Sequence, residues 1–307
     1  MTEPKEARIS SNPLEDSMAP LAMKLGADML DDIERVRIAN ENRLRQLVRV
    51  GVDKDGGERG LEMLPPGITV GEEDKVVDLV LNSARRHLED EQKRIGAGTG
   101  VRWIKPPAGW NFFVWQVCII LIPMVKANED ATKNLQKMIQ EHPLHPWING
   151  QKGLGDKQTG RLLAVIGDPY WNDLHDRPRL VSELWSYCGF AVTDTGLAPT
   201  RTRGLKINWS MTARMRCRMI AESCLKAGGP YREVYDRTKE HYADAVHRLP
   251  CPRCGPAGNP AKAGSPLSKN HIHSRALRAI SKQVLQDLWS ESRRLHETAT
   301  KQRKAAA

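Results

Sequence analysis

Apolar residues recur on a helical period along most of this chain, in blocks separated by polar stretches. From Leu21 to Val50, Leu30, Ile33, Val36, Leu44 and Leu47 stand between charges at helix spacing. That pattern predicts an amphipathic helix able to pair as a coiled coil, within the chain or with a second copy. Asp74 to Ile95 repeats it through Val76, Leu79, Val80 and Leu88, which predicts an antiparallel partner for the first helix. Trp110 to Val125 is apolar almost throughout, but it is shorter than the ~20 residues a spanning helix needs. With Gln116 interrupting it, a buried helix is expected and no membrane partner. An amphipathic helix from Glu129 to His142 follows. Pro178 to Phe190 places Leu180, Val181, Leu184 and Trp185 at core spacing, with Gly189 as its stop, and helical patterns continue over 211–227 and from Pro230 to His247. The most regular ladder comes last, in Ala276, Leu277, Ile280, Val284, Leu285 and Leu288. Strand periodicity is scarce and no repeat stands out, so the fold class expected is mainly α.

Turn formers divide these blocks. They cluster over 51–71 and 96–109, which read as loop insertions in a helical, coiled-coil region spanning 21–128. Residues 1–20 are polar and proline-bearing, which predicts a disordered leader, and 296–307, with Lys301, Arg303 and Lys304, reads as a basic disordered tail. A second domain is expected over 129–295, containing a long loop at 248–273.

The second domain opens on a distinctive stretch ending at Asp168, HPLHPWINGQKGLGDKQTGRLLAVIGD. It has the form of a helix-hairpin-helix, a module that grips nucleic-acid phosphates through its backbone. Gly153 and Gly155 permit a tight turn, and Leu154 can plug the apolar space between the helices. Asp156 is the expected N-cap of the next helix, Leu162, Leu163 and Ile166 its apolar stripe, and Gly167 with Pro169 its stop. Lys152, Lys157 and Arg161 would support a phosphate at that helix start. A second basic run follows: from Thr195 to Ala221 the chain carries Arg201, Arg203, Lys206, Arg214, Arg216 and Arg218 without one acidic residue. Arg214 and Arg218, four apart, would repel unless an anion sat between them. The formal net charge of +10 agrees with an anionic partner and favours nucleic acid over membrane.

Six cysteines are scattered through apolar or helical patterns, which excludes a disulfide framework as the expected organisation. Only Cys251 and Cys254 have chemical spacing. In Cys251-Pro252-Arg253-Cys254-Gly255 two thiolates can approach one ion from a tight turn, and His271 and His273 follow downstream. Ser274 is the expected cap of the last helix, which leaves His271-Ile272-His273 extended with both rings on one side, so the ligand set reads Cys251, Cys254, His271 and His273. Were the two histidines helical they would lie about 200° apart, only one could bind, and His247 would be the substitute. Four protein ligands leave no open position, so the expected cofactor is a structural zinc that staples the loop.

The order of these segments resembles a transposase family. The hairpin, then LVSELWSYCGFAVTDTG, then RTRG and TARMRCRMIAESCLKAGGPYREVY, and finally HSRALRAISKQVLQDLW resemble the carboxy-terminal domain of insertion-sequence transposases that join a RuvC-like DEDD domain to a helix-hairpin-helix serine domain, the bridge-RNA-guided recombinases. The resemblance covers residues 130–295. It implies DNA as partner, with structured RNA an alternative, and a nucleophile at the position matching the family's serine, here Thr195, with Thr193, Thr200 and Ser210 as less favoured hydroxyls. It also implies an amino-terminal acidic nuclease-like domain. Val50-Gly51-Val52-Asp53 superficially matches that domain's first strand, but the remaining acids have no counterpart, so a catalytic divalent metal is not expected. The reading is a DNA-binding protein of the cytoplasm, nucleoid-associated and homo-oligomeric through its amino-terminal helices. An active recombinase using Thr195 with a partner acidic domain, and an RNA-binding or adaptor protein, stand as alternatives.

Overall fold

The computed structural model describes residues 12, 14, 20–49, 73–95, 104–192, 198–201, 203–256 and 259–306. The insertion at 51–71 with the Val50 to Asp53 segment, most of the 1–20 leader, the start of the 96–109 connector, Thr193 and Thr195 lie outside the described residues. The fold is mainly helical, as the periodicity predicts. It comprises α1 (Pro20–Arg49), α2 (Glu73–Ile95), α3 (Phe112–Gln140), α4 (His145–Asn149), α5 (Asp156–Ile166), β1 (Trp171–Asn172), β2 (Arg177–Pro178), α6 (Val181–Tyr187), α7 (Met211–Ala227), α8 (Pro230–His241) and α9 (Lys269–Ala306). The two strands pair antiparallel, with Trp171 opposite Pro178 and Asn172 opposite Arg177. The chain forms two compact units, one of residues 28–134 and one of residues 1–27 with 135–307.

In the 28–134 unit one core joins Leu44 of α1, Val77, Val80, Leu81, Ala84 and Leu88 of α2, and Val114, Trp115, Cys118 and Leu121 of α3. The α2 positions recur at intervals of three and four, as a packed helix face requires. Of the stripe expected from periodicity, Val80 and Leu88 on α2 are buried, but Leu79 is half exposed, and so is Val36 on α1. Adjacent apolar pairs such as Leu79-Val80 fit either stripe, and continuation through Ala84 and Leu88 decides which faces inward. Trp115 anchors the core, its indole N–H donating to the Ile104 carbonyl at 3.1 Å and its ring meeting the edges of Trp110 and His87.

The two helices expected around residue 126 are one continuous α3, which runs through Pro123 although that residue cannot donate to the preceding turn. Burial of its apolar part is incomplete: Val114, Trp115, Cys118 and Leu121 are enclosed, while Phe112, Phe113 and Ile120 are more than half exposed. Among the described residues α3 is the one helix long and apolar enough to cross a membrane by length and composition.

The other unit is organised around α9, which packs on α8, α7 and α6. Its ladder of Ala276, Leu277, Ile280, Val284, Leu285 and Leu288 is buried throughout, as expected. The residues expected as a disordered tail continue this helix to Ala306. Local signals set the other boundaries. The Ser210 hydroxyl caps α7 by accepting from the Ala213 N–H at 3.1 Å, and Gly228-Gly229, both at positive φ, separate α7 from α8, where Pro230 begins the helix. The segment expected as a helix from Pro178 is helical only from Val181, with Leu180 exposed and extended ahead of it.

In the α4–α5 hairpin, Leu154 is buried, as are Leu162, Leu163 and Ile166, the expected apolar stripe of α5. Gly155, not Asp156, is the N-cap; Asp156 is the first helical residue and faces the His145 ring at 3.4 Å. Behind the hairpin, Asp168 is enclosed. One of its oxygens accepts from the Tyr170 and Trp171 N–H groups and the Ser292 hydroxyl, and the other accepts from His296 Nε2 at 2.6 Å. Burial alone would raise this carboxyl. The His296 hydrogen bond and charge, with Ser292 and Tyr170, outweigh it and hold Asp168 below its ordinary value.

Candidate metal centre and basic surroundings

After α8 the chain makes two extended arms bridged antiparallel at Val246–Pro266 and Cys251–Ala261. Five backbone bonds tie them, from Leu267 to Ala245, between His247 and Ser265 or Gly264, and reciprocally between Cys251 and Ala261, all at 2.7–2.9 Å. At their tip the CPxCG turn closes with the Cys254 N–H on the Cys251 carbonyl. Gly255 is obligatory there, because a Cβ would lie 1.7 Å from the Asn259 carbonyl oxygen. His271 comes from the first turn of α9, whose start is set by Ser268: its hydroxyl accepts from the His271 N–H at 3.2 Å.

These elements bring His247, Cys251, Cys254 and His271 together, with all four ligand atoms within 4.8 Å of one another. It is the one such group among the described residues. The His271 Nδ1 lies 3.9 Å from Cys251 Sγ and 3.3 Å from Cys254 Sγ. Metal–sulfur and metal–nitrogen bonds of 2.3 and 2.0–2.1 Å in a tetrahedron separate such atoms by about 3.6 Å, so these two distances bracket that value. His247 supplies a further test of fit. It is buried, and its Nε2 has no hydrogen-bond partner among the described residues, a costly arrangement that a metal ion would relieve. The donor states also fit. Burial disfavours a Cys254 thiolate, but hydrogen bonds from Ser268 and Cys251 and the Arg253 charge outweigh it and lower the thiol. Burial and the neighbouring Arg275, His247 and Arg253 charges hold His271 below its ordinary value, toward the neutral ring that a metal binds.

His273 is not in this group. Because α9 starts at Lys269, both downstream histidines are helical and point apart, and His273 Nδ1 meets the Tyr235 hydroxyl at 2.7 Å instead. Ser268 takes the capping role expected of Ser274, and His247 takes the place expected of His273.

The residues expected to contact DNA separate into distinct environments. Arg161 and Arg216 are buried, Arg161 on a helix enclosed on most sides and Arg216 beside Cys217 on the inner face of α7. Neither can reach an external phosphate. Arg218 is exposed but engages Glu222 at 2.9 Å, one residue past the acid-free run. Arg214 is half-buried and donates to the Pro199 carbonyl at 3.0 Å. Arg201, Arg203 and Lys206 are exposed, as is Lys152 at the hairpin turn, while Lys157 is half-buried. Gly153, at φ 93°, is demanded by packing: a Cβ there would lie 2.5 Å from the Cys224 Cα. At Gly155 a Cβ would meet nothing within 4 Å, so that turn backbone is open. Of the alternative hydroxyls, Thr200 is exposed and Ser210 caps α7.

Sequence reasoning missed a set of cations around the α6–α7 connection. Arg278 donates to the Phe190 and Ala191 carbonyls and sits 5.3 Å from the Phe190 ring centroid, and Lys282 Nζ is 3.8 Å from the Trp185 ring. Only the i, i+4 spacing within α9 could have pointed to them. Comparison of the chain with protein-family models, curated proteins and solved structures yields no match.

Proposed function

We propose that this chain is a DNA-binding protein related to insertion-sequence transposases, with a structural zinc at His247, Cys251, Cys254 and His271. The observation that carries the DNA reading is the state of Arg201, Arg203 and Lys206. All three are exposed, and none forms an ion pair with a carboxylate among the described residues. Cations kept clustered, solvated and uncompensated suit phosphodiester binding. Lys152 and the open backbone at Gly155 offer further phosphate contacts at the hairpin, which we read as a helix-hairpin-helix. The Asp156 carboxylate at the same helix start opposes an anion, so the hairpin is the weaker contributor. The relation to transposases is supported by the order of segments over 130–295. Two thiolates and two imidazoles in a closed shell suit zinc in a stapling role, with no position left for a substrate. No observation on the described residues favours strand transfer through Thr195.

Anisotropy titration of a labelled duplex at several salt concentrations tests the reading. Three phosphate contacts predict that log K falls with log salt with a slope of about −2.7 or steeper, and that replacing Arg201, Arg203 and Lys206 by Ala makes it shallower by about that amount. Absence of binding at low salt, or affinity independent of salt, overturns the proposal. Tighter binding of structured RNA than of duplex in competition overturns the choice of polymer.

A further inference from the structure

One face of α9 carries His271, Arg275, Arg278 and Lys282. At offsets of four, seven and eleven residues these side chains stay within about 60° of one another around the helix, opposite the buried positions Ala276, Ile280 and Val284. His271 is the metal-site histidine; the other three are cations. Each is backed by an aromatic ring: Arg275 by Tyr242 at 4.7 Å, Arg278 by Phe190, and Lys282 by Trp185. Arg214 of α7 reaches the same place, since both it and Arg278 converge on Gly189: the Arg214 Cδ lies 3.1 Å from where a Gly189 Cβ would stand, and the Arg278 Nη1 is 3.5 Å from the Gly189 carbonyl oxygen. From the metal turn comes Arg253, exposed between the two cysteines and close enough to Arg214 for their charges to interact.

None of these five cations forms an ion pair with a carboxylate among the described residues. Rings and carbonyls orient a cation without neutralising it. The cluster therefore retains its charge, and after burial the next cause depressing Arg214, Arg278 and Lys282 is a neighbouring cation: Arg253, Arg214 and Arg278 respectively. A half-buried cluster held only for stability would be expected to include a compensating acid. An external anion would relieve the repulsion. Along the helix, Arg275 to Lys282 spans about 10 Å, the axial rise of about three nucleotides of one DNA strand.

We propose that Arg214, Arg253, Arg275, Arg278 and Lys282 form a second phosphodiester-binding surface for duplex DNA, and that metal occupancy at the adjoining turn sets its strength by fixing Arg253. This rests on the DNA-binding reading and adds to it both a location and a means of control. The ion binds Cys251 and Cys254 on either side of Arg253 and binds His271 on the same helix face as the cations. Holding those ligands together fixes the guanidinium relative to Arg214 and Arg275. Releasing the ion frees the turn and withdraws one contact.

The test uses the full chain, loaded with zinc, and a labelled duplex. Each neutralised phosphate contributes a slope of about 0.9, or roughly eightfold in affinity at 0.1 M salt. Combined Arg253→Gln, Arg275→Gln and Lys282→Gln substitutions therefore make the slope shallower by about 2.7 and weaken binding roughly 500-fold, with the thermal midpoint unchanged. Removing zinc from the wild-type chain weakens binding roughly eightfold, and the same treatment leaves Arg253→Gln unaffected. Circular dichroism confirms that the zinc-free chain keeps its helices; should it unfold, zinc-loaded Arg253→Gln alone must show the eightfold loss. If the triple variant binds with the wild-type slope while substitution of Arg201, Arg203 and Lys206 reduces it, this inference fails and the DNA-binding reading stands. If zinc removal weakens Arg253→Gln as much as wild type, the metal control fails. If the wild-type chain does not bind duplex at low salt, both fall.

Discussion

Gly153 and Gly155 flank the hairpin leucine and look alike in sequence, yet the structure gives them opposite roles, and alanine at each should separate packing from ligand contact. At Gly153 the backbone has φ 93°, and a Cβ would lie 2.5 Å from Cys224 Cα, 2.9 Å from its nitrogen and 3.0 Å from its sulfur. Two of those atoms are backbone in the last turns of α7, so rotamer adjustment cannot relieve the clash. The positive φ costs about 1–3 kcal/mol for a residue with a side chain, and overpacking adds about 1–3 kcal/mol, so Gly153→Ala should destabilise the protein by roughly 2–6 kcal/mol. Gly155 has φ −78° and open space around it, so alanine there should cost only its disadvantage as an N-cap, about 1 kcal/mol or less. Urea unfolding reads both: the midpoint should fall sharply for the first variant and only slightly for the second, at constant m-value. Duplex affinity supplies the other half, since a methyl at Gly155 would cost one charge-assisted hydrogen bond, roughly tenfold, if a phosphate approaches that backbone. An unchanged urea midpoint for Gly153→Ala would refute the packing argument, and unchanged affinity for Gly155→Ala would remove the hairpin backbone from the DNA surface.

Ligand assignment is tested by His271→Ala and His247→Ala, which should lose zinc in metal analysis and chelator competition, whereas His273→Ala should retain a full equivalent and lose only about 1 kcal/mol with its Tyr235 hydrogen bond. Zinc lost from His273→Ala and kept by His271→Ala would reverse the assignment. Stability should also fall on the acid side of neutrality. Burial, with an opposing contribution from Asp168, pushes His142 down from 6.5 to about 4, so between those values the unfolded chain takes up a proton that the folded chain refuses. That difference corresponds to about 3 kcal/mol, fully present above pH 6.5 and lost as pH falls to about 4; Asp168, held below 3.8, adds a further loss only below that value. His142→Asn, whose amide oxygen can replace Nδ1 as acceptor for the Leu144 N–H, should flatten the dependence between pH 6.5 and 4 in urea titrations, and an equally steep dependence in the variant would count against the assignment.

Where one element supplies both the pattern and its explanation, sequence was a sufficient guide. The α9 ladder, Leu154 as plug and the stripe of Leu162, Leu163 and Ile166 all follow from apolar spacing, and all are buried. Cys251 and Cys254 were legible because three-residue spacing on a tight turn is itself the geometry of the site. What depended on a partner far along the chain was not. Arg161 and Arg216 read as surface cations because their helices carry polar residues, but tertiary packing encloses both. The histidines turned on one local competition, Ser268 against Ser274 as helix cap. The earlier serine wins where its hydroxyl can bond both the His271 N–H and, at 3.1 Å, the Cys254 thiol. Asp168 meets Ser292 and His296 across more than a hundred residues, and no local spacing announces that.

The position of the α9 cations follows from how that helix is held at its two ends. At its first turn His271 enters the metal group, and at Ser292 and His296 it is bonded to the enclosed Asp168 carboxylate. Ser292 lies about 30 Å further along, measured by helical rise. Between those points the buried ladder resists rotation, because turning α9 by one residue, about 100°, would exchange Ala276 for Arg275 and Leu288 for Asp287 in the core. The orientation of Arg275, Arg278 and Lys282 is thus set by core packing and survives loss of the ion. The CPxCG turn has no such support: it sits at the tip of two arms joined by a few backbone bonds, with Arg253 at its apex. Metal release should therefore act on Arg253 while sparing the helix, so its effect on DNA affinity should be one contact in size and leave the helical signal unchanged.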